Sequence, residues 1–322
     1  MKKRKGLLKK GFLIIGAAGC CLILSGCISS IIKPSDHRPR LFGATYMTRN
    51  NPFFDVLNES ILEVVEANGD ILISRDPQQD QEKQNAQIQE MIDEGIECLF
   101  LNPVDWEAVK PALIACQEAG VPVFNIDTIV KDTEYVVSVI ETDNYQAGVL
   151  CAQDMLERMD EAKILVLDNP IQMSITSRVQ GFLDTIADKP QYEVVYQEAA
   201  AGELEVGARV TSNEVLEKGI EFDVVLGGND PTALGALAAL QQYHAEDGVL
   251  IYGIDGSPDF KAMLDIGYVT ATSMQSPKRI GTTAAEMAYR YLSGETVESY
   301  LSIEPILITS ENISEFEINA WQ

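Results

Sequence analysis

From Leu41 onward, short apolar runs alternate with longer stretches whose apolar residues recur at helical spacing. The runs fall at 41–46, 71–74, 98–101, 121–124, 163–167, 194–196, 223–226, 250–254 and 271–274. Between them, Ile88, Met91 and Ile92 share one helical face, and Val109, Leu113 and Cys116 share another. Glycine stands just before a following run at Gly69, Gly95, Gly120, Gly219 and Gly248, where a helix would stop. Strand, helix, glycine, strand, repeated, predicts a parallel sheet covered by helices on both faces.

The pattern runs from 41 to about 140, restarts at 163 and continues to 274. Two repeats of similar size predict an α/β protein of two doubly wound parallel-sheet lobes. Strand character returns at 303–308, so the chain is expected to cross between lobes more than once. The expected organisation is an N-terminal lobe from 41–142 plus 276–303 and a C-terminal lobe from 143–275 plus 304–322.

The first residues read differently. Lys2, Lys3, Arg4, Lys5, Lys9 and Lys10 precede an apolar run at 12–24, which closes with Leu24-Ser25-Gly26-Cys27. A basic start and a short apolar run predict an export signal over 1–26. The closing residues resemble the lipobox of bacterial lipoproteins, which implies cleavage before Cys27 and lipidation of its thiol. The bland alternative is an uncleaved signal anchor with an incidental cysteine. Residues 27–40, with two prolines and no periodicity, read as a lipidated tether. The protein is therefore expected to be extracytoplasmic and held at the cell membrane by lipid.

Charge sharpens this picture. The whole chain of 322 residues carries 24 basic and 49 acidic residues, a net −25. Loss of the leader leaves 18 basic residues and a net charge of −31. Such a surface disfavours nucleic acid and is repelled by anionic headgroups, so attachment would depend on the lipid. Two histidines and three dispersed cysteines in the body (Cys98, Cys116, Cys151) predict neither a metal site nor a disulfide framework. No cofactor is expected.

In doubly wound sheets ligands bind beyond the carboxyl ends of the strands. The polar residues there are neutral amides, a few carboxylates and one arginine: Asn50, Asn51, Asn102, Asp127, Asn229, Asp255 and Gln275, with Arg178 ahead of a helical stretch at 179–187. Phe53 and Phe54 add two rings. Amides and carboxylates bond hydroxyls, a guanidinium supplies a planar fork of donors, and rings wall the C–H faces of a sugar. Each residue also has a local role open to it. Asp230 before Pro231 reads first as a helix N-cap, Arg178 as a surface ion pair, and the two Phe as the start of a core-facing helix.

Taken in order, Asn50-Asn51-Pro52-Phe53-Phe54, Asn102-Pro103, Asn229-Asp230 with Ala233-Leu234-Gly235-Ala236-Leu237, and Gly253-Ile254-Asp255-Gly256 resemble the ribose-binding-protein family of solute receptors for sugar ABC transporters. The resemblance spans 41 to about 308. It implies a type I periplasmic binding protein fold, two lobes on a three-strand hinge, with a monosaccharide trapped between them. By position it implies Asn51, Phe53, Phe54, Asn102 and Asp127 from the first lobe. Arg178, Asn229, Asp255 and Gln275 would come from the second lobe and hinge. It further implies a monomer that docks on the permease subunits of an importer.

Two departures stand out. Thr128 follows Asp127 where ribose binders carry arginine, and Ala199-Ala200-Ala201-Gly202 stands where a second-lobe aromatic is expected. The pocket is therefore expected to be larger or differently polar than one for ribose, with a hexose, polyol or modified sugar fitting as well. The rival is a sensor that presents the same sugar to a chemoreceptor or kinase without transport. A DNA-binding repressor would need a basic helix-turn-helix ahead of the lobes, and an enzyme would need a nucleophile elbow or phosphate loop; the sequence has none of these.

Overall fold

The computed structural model describes residues 38–322. The expected leader, Cys27 and the tether up to residue 37 lie outside the described residues. Two six-stranded sheets form the body. The first contains β1 (Leu41–Thr45), β2 (Ile71–Arg75), β3 (Cys98–Leu101), β4 (Val123–Ile126), β5 (Ser138–Thr142) and β11 (Tyr300–Ile303), in the order β11-β5-β4-β3-β1-β2. All its pairings are parallel. The second contains β6 (Ala162–Asp168), β7 (Tyr192–Ala199), β8 (Val224–Gly227), β9 (Leu250–Asp255), β10 (Ala271–Met274) and β12 (Ile306–Thr309), in the order β12-β10-β9-β8-β6-β7. Here only β12 runs antiparallel, against β10.

The apolar runs become central strands because helices cover both faces. Every residue of β3, β4 and β8 is buried, whereas the edge strands β2 and β7 are only partly so. Alternate residues feed opposite faces: Phe42, Phe100 and Phe124 enter one core of the first lobe, and Leu99, Leu101 and Val123 enter the other. In the second lobe Ile164, Val166 and Leu226 face one core, and Leu165, Leu167 and Val225 the other.

The covering helices are α1 (Pro52–Ala67), α2 (Gln81–Glu94), α3 (Lys110–Ala119), α4 (Asn144–Arg158), α5 (Met173–Ile186), α6 (Leu204–Arg209), α7 (Asp230–Tyr243), α8 (Pro258–Asp265) and α9 (Pro277–Leu292). A π-helical turn, Val210–Leu216, continues α6. α2 and α3 end on Gly95 (φ 88°) and Gly120 (φ 71°), a left-handed backbone that a β-carbon disfavours.

The strand expected at 303–308 is two strands in different sheets. β11 closes the first sheet, β12 joins the second, and Glu304-Pro305 lies between them, where proline has no N–H for either ladder. The chain also passes from β5 into α4, which packs on the second sheet, and from β10 into α9, which packs on the first. Cys98, Cys116 and Cys151 are buried free thiols. Among the described residues no helix is long and apolar enough to cross a membrane.

Candidate functional site

A cavity of about 420 Å³ opens where strands of both sheets end. Asn51, Phe53, Phe54, Asp127, Arg178, Asn229, Asp255 and Gln275 all lie on its wall. Asn51 caps α1, its Oδ1 accepting from the Phe53 N–H at 3.0 Å. The Phe53 and Phe54 rings follow, edge to face at 5.3 Å and nearly fully buried, so they serve both the core and the cavity.

Asp127 follows β4 with φ 65° and is buried. Its Oδ2 accepts from Asn102 Nδ2 at 2.9 Å and Thr128 Oγ1 at 3.2 Å. Burial pushes the Asp127 carboxyl up to about 6, with nearby Arg178 pulling it back. Asn102, expected as a ligand contact, stands behind Asp127 instead. It is fully buried and absent from the wall, because its Oδ1 accepts from the Met47 N–H at 3.0 Å and its amide nitrogen holds Asp127. That bond fixes the orientation of the Asp127 carboxylate.

Arg178 lies inside α5 rather than ahead of it, and it is buried, not a surface pair. Its Nε donates to Asn144 Oδ1 and one Nη to the Gly228 carbonyl, both at 2.9 Å, and that Nη stands 3.7 Å from Asp255 Oδ1. Close approach of α4 and α5 sets this depth. A Cβ on Gly148 would lie 1.8 Å from the Arg178 carbonyl oxygen, and one on Gly181 would lie 2.0 Å from that of Tyr145.

Asp255 ends β9, and its Oδ1 accepts from Gln275 Nε2 at 2.7 Å. Burial raises its carboxyl, against the pull of Arg178. Gln275 lines the cavity, while its Oε1 is buried and makes no hydrogen bond within the protein. Asn229, not Asp230, caps α7. Its Oδ1 accepts from the Thr232 N–H at 3.0 Å, and its Nδ2 donates to the Gly202 carbonyl at 2.9 Å. Asp230 is claimed elsewhere: its carboxylate accepts from the Ser257 N–H and Thr272 Oγ1, each at 2.7 Å. Six non-glycine described residues have positive φ, and four of them, Gln79, Asp127, Ala201 and Asp255, stand on this wall. Backbone strain of this kind gathers at binding sites.

A family model described as "Periplasmic binding protein domain" matches residues 42–296. This chain belongs to the periplasmic binding protein family. It is 30% identical to the ribose import binding protein RbsB of Bacillus subtilis over 81% of this chain and 84% of that one. It is also 30% identical to RbsB of Escherichia coli over 90% of this chain and 97% of that one. Among solved structures, an ABC transporter solute binding protein from Bacillus halodurans with bound myo-inositol superposes with a TM-score of 0.81 at 26% identity, covering 87% of this chain and 98% of that one.

In this binding protein the two lobes touch across the cavity. Thr128 Oγ1 and Ser174 Oγ lie 2.9 Å apart, Gln172 Nε2 donates to Met47 Sδ at 3.0 Å, and Gln79 donates to Glu203. Sequence reasoning missed Gln79, Gln172, Ser174, Glu203 and Trp321, all on the wall. Thr128, the first departure, is thus an interlobe contact. At the second departure, Ala201 and Gly202 line the cavity. Among the described residues no cluster of His, Cys, Asp or Glu is arranged to hold a metal.

Proposed function

We propose that this protein is an extracytoplasmic receptor that captures a monosaccharide or related cyclic polyol between its lobes and delivers it to an ABC importer. The observation that carries this is the convergence of Asp127, Arg178, Asp255 and Gln275 on one small cavity beside two rings. Acceptors outnumber donors there, which suits a ligand that brings many hydroxyl protons. Arg178 supplies the complementary donor, and Phe53 and Phe54 supply an apolar wall. The ribose importers' binding proteins and the myo-inositol-bound structure support the class of ligand.

In mechanism, hydroxyls that bridge Asp127 on one lobe and Asp255 on the other favour the closed arrangement over the open one. Closure is biased by that difference in affinity, and the importer's permease subunits would read the closed form. The ligand leaves chemically unchanged. The lipobox residues Leu24-Ser25-Gly26-Cys27 support anchoring to the membrane through lipid on Cys27.

A thermal-shift panel of pentoses, hexoses and polyols, including ribose and myo-inositol, tests this. A ligand that binds only the folded state adds about 2.7 kcal/mol at a hundredfold excess over Kd, a clear upward shift of the midpoint. No shift with any of them would refute a sugar or polyol receptor.

A further inference from the structure

Beyond β12 and a short 3-10 turn (Ile313–Glu315), residues 316–322 run across to the cavity. Phe316 and Ile318 pack on a second-lobe core, whereas Trp321 packs on the first-lobe core beside Phe53, with ring centroids 5.6 Å apart at 76°. One segment therefore belongs to one lobe and places its indole against the other. What holds it is a buried lysine. Lys261 on α8 is fully buried, and its Nζ donates to the Glu317 and Ala320 carbonyls, each at 2.6 Å. Ser276 Oγ, at the crossing into α9, adds a bond to the Gln322 carbonyl at 3.1 Å.

Burying an ammonium is costly, and desolvation pulls Lys261 below its ordinary value. Lysine on a core-facing helix position is also a poor packing residue unless its ammonium has a polar task. Here that task is to fold two carbonyls of an otherwise irregular segment around one cation. The consequence is the position of Trp321. The second lobe's own loop, 199–202, brings no ring to the cavity, and the aromatic residues on the wall are Phe53, Phe54 and Trp321.

We infer that Trp321 is a ligand-contacting, specificity-determining wall of the cavity, with Lys261 as the residue that positions it. The inference rests on the receptor reading for the ligand contact and on the lysine–carbonyl geometry for the positioning. An indole presents a broad apolar face that stacks on the C–H face of a six-membered ring better than on a smaller, more flexible one.

The test uses the full chain with its two tryptophans. Trp106→Phe leaves Trp321 as the sole tryptophan, and iodide quenching then reads its shielding directly, without ligand. Lys261→Met should raise that quenching at least twofold, and Lys261→Arg, which keeps donors, should restore shielding. Quenching unchanged in Lys261→Met overturns the positioning role. For the contact, Trp321→Ala should weaken the best ligand of the panel about tenfold or more, the size of a lost aromatic contact with its buried area, while Trp321→Phe recovers part of it. Trp321→Ala should also narrow the preference for six-membered over five-membered rings. An affinity within twofold of wild type, with the ranking of ligands unchanged, overturns the wall. Failure of wild type to bind any member overturns the receptor reading and the wall with it, whereas the quenching measurement still decides the positioning role.

Discussion

Asp127→Asn separates binding from stability, because the two respond with opposite sign. The carboxylate is buried, and Asn102 and Thr128 occupy only its Oδ2. In the variant the amide oxygen can take both bonds, and asparagine accepts φ 65° as readily as aspartate. The fold keeps its contacts. The ligand, however, meets an NH2 where it needs an acceptor. A hydrogen bond to a charged group is worth about 1.5–3 kcal/mol, so affinity should fall by roughly 10- to 150-fold. Stability should move the other way. The rise of the carboxyl from 3.8 to about 6 means that a group ionised at neutral pH is held against burial, at up to about 3 kcal/mol. Ligand-free Asp127→Asn should therefore melt at or above wild type at pH 7.5. That advantage should shrink near pH 5, where Asp127 is protonated. Titration calorimetry with the best ligand and calorimetric melting at the two pH values give both numbers. Unchanged affinity, or a variant several degrees less stable at pH 7.5, would refute the reasoning.

The same sign governs pH in the wild type. Asp127 (about 6) and Glu141 (about 7) have raised folded-state values caused first by burial, and Asp255 is raised likewise. Their contribution to ligand-free stability is present below the unfolded carboxylate range and is lost as pH rises through about 6–7, so the midpoint should fall across that window. Ligand affinity should rise across the same window, because hydroxyls favour ionised acceptors; a flat affinity profile between pH 5 and 7.5 would contradict it. Gly148→Ala should lower the melting temperature by several degrees and weaken binding, since its Cβ would meet the Arg178 carbonyl oxygen at 1.8 Å and α5 must move. Wild-type affinity in a folded Gly148→Ala protein would show that the depth of Arg178 does not depend on this helix crossing.

The fold was legible because a parallel α/β sheet writes itself locally: most strands are short apolar runs, and α2 and α3 stop at a glycine. The strand ends were legible for the same reason, and eight of the nine expected residues reach the cavity wall. What could not be read was direction and reach. Asn102 has the same strand-end position as Asp127, but its amide is consumed by Met47 and Asp127, a choice made across 55 and 25 residues of chain. The cap of α7 slipped by one residue, because Asp230 is drawn to Ser257 and Thr272, and nothing near it in sequence announces those partners. Trp321 left no local signal at all. Its place depends on Lys261, 56 residues from one of the carbonyls it holds.

The site also explains why strain and charge collect in one place. Asp127 and Asp255 come from opposite lobes, each at positive φ and each raised by burial, and they share a single guanidinium. Left alone, two such carboxylates oppose the meeting of the lobes, because closure brings like charges together in a dry cleft. A polyol reverses that balance, since its hydroxyl protons satisfy both acids at once. The side-chain bonds that span the cleft are few: Thr128 with Ser174 and Gln172 with Met47 are neutral and of modest net worth, and Gln79 donates to the Glu203 carboxylate. Closure is thus left to depend on what occupies the cavity, which is the property a transporter needs if it is to ignore empty receptors.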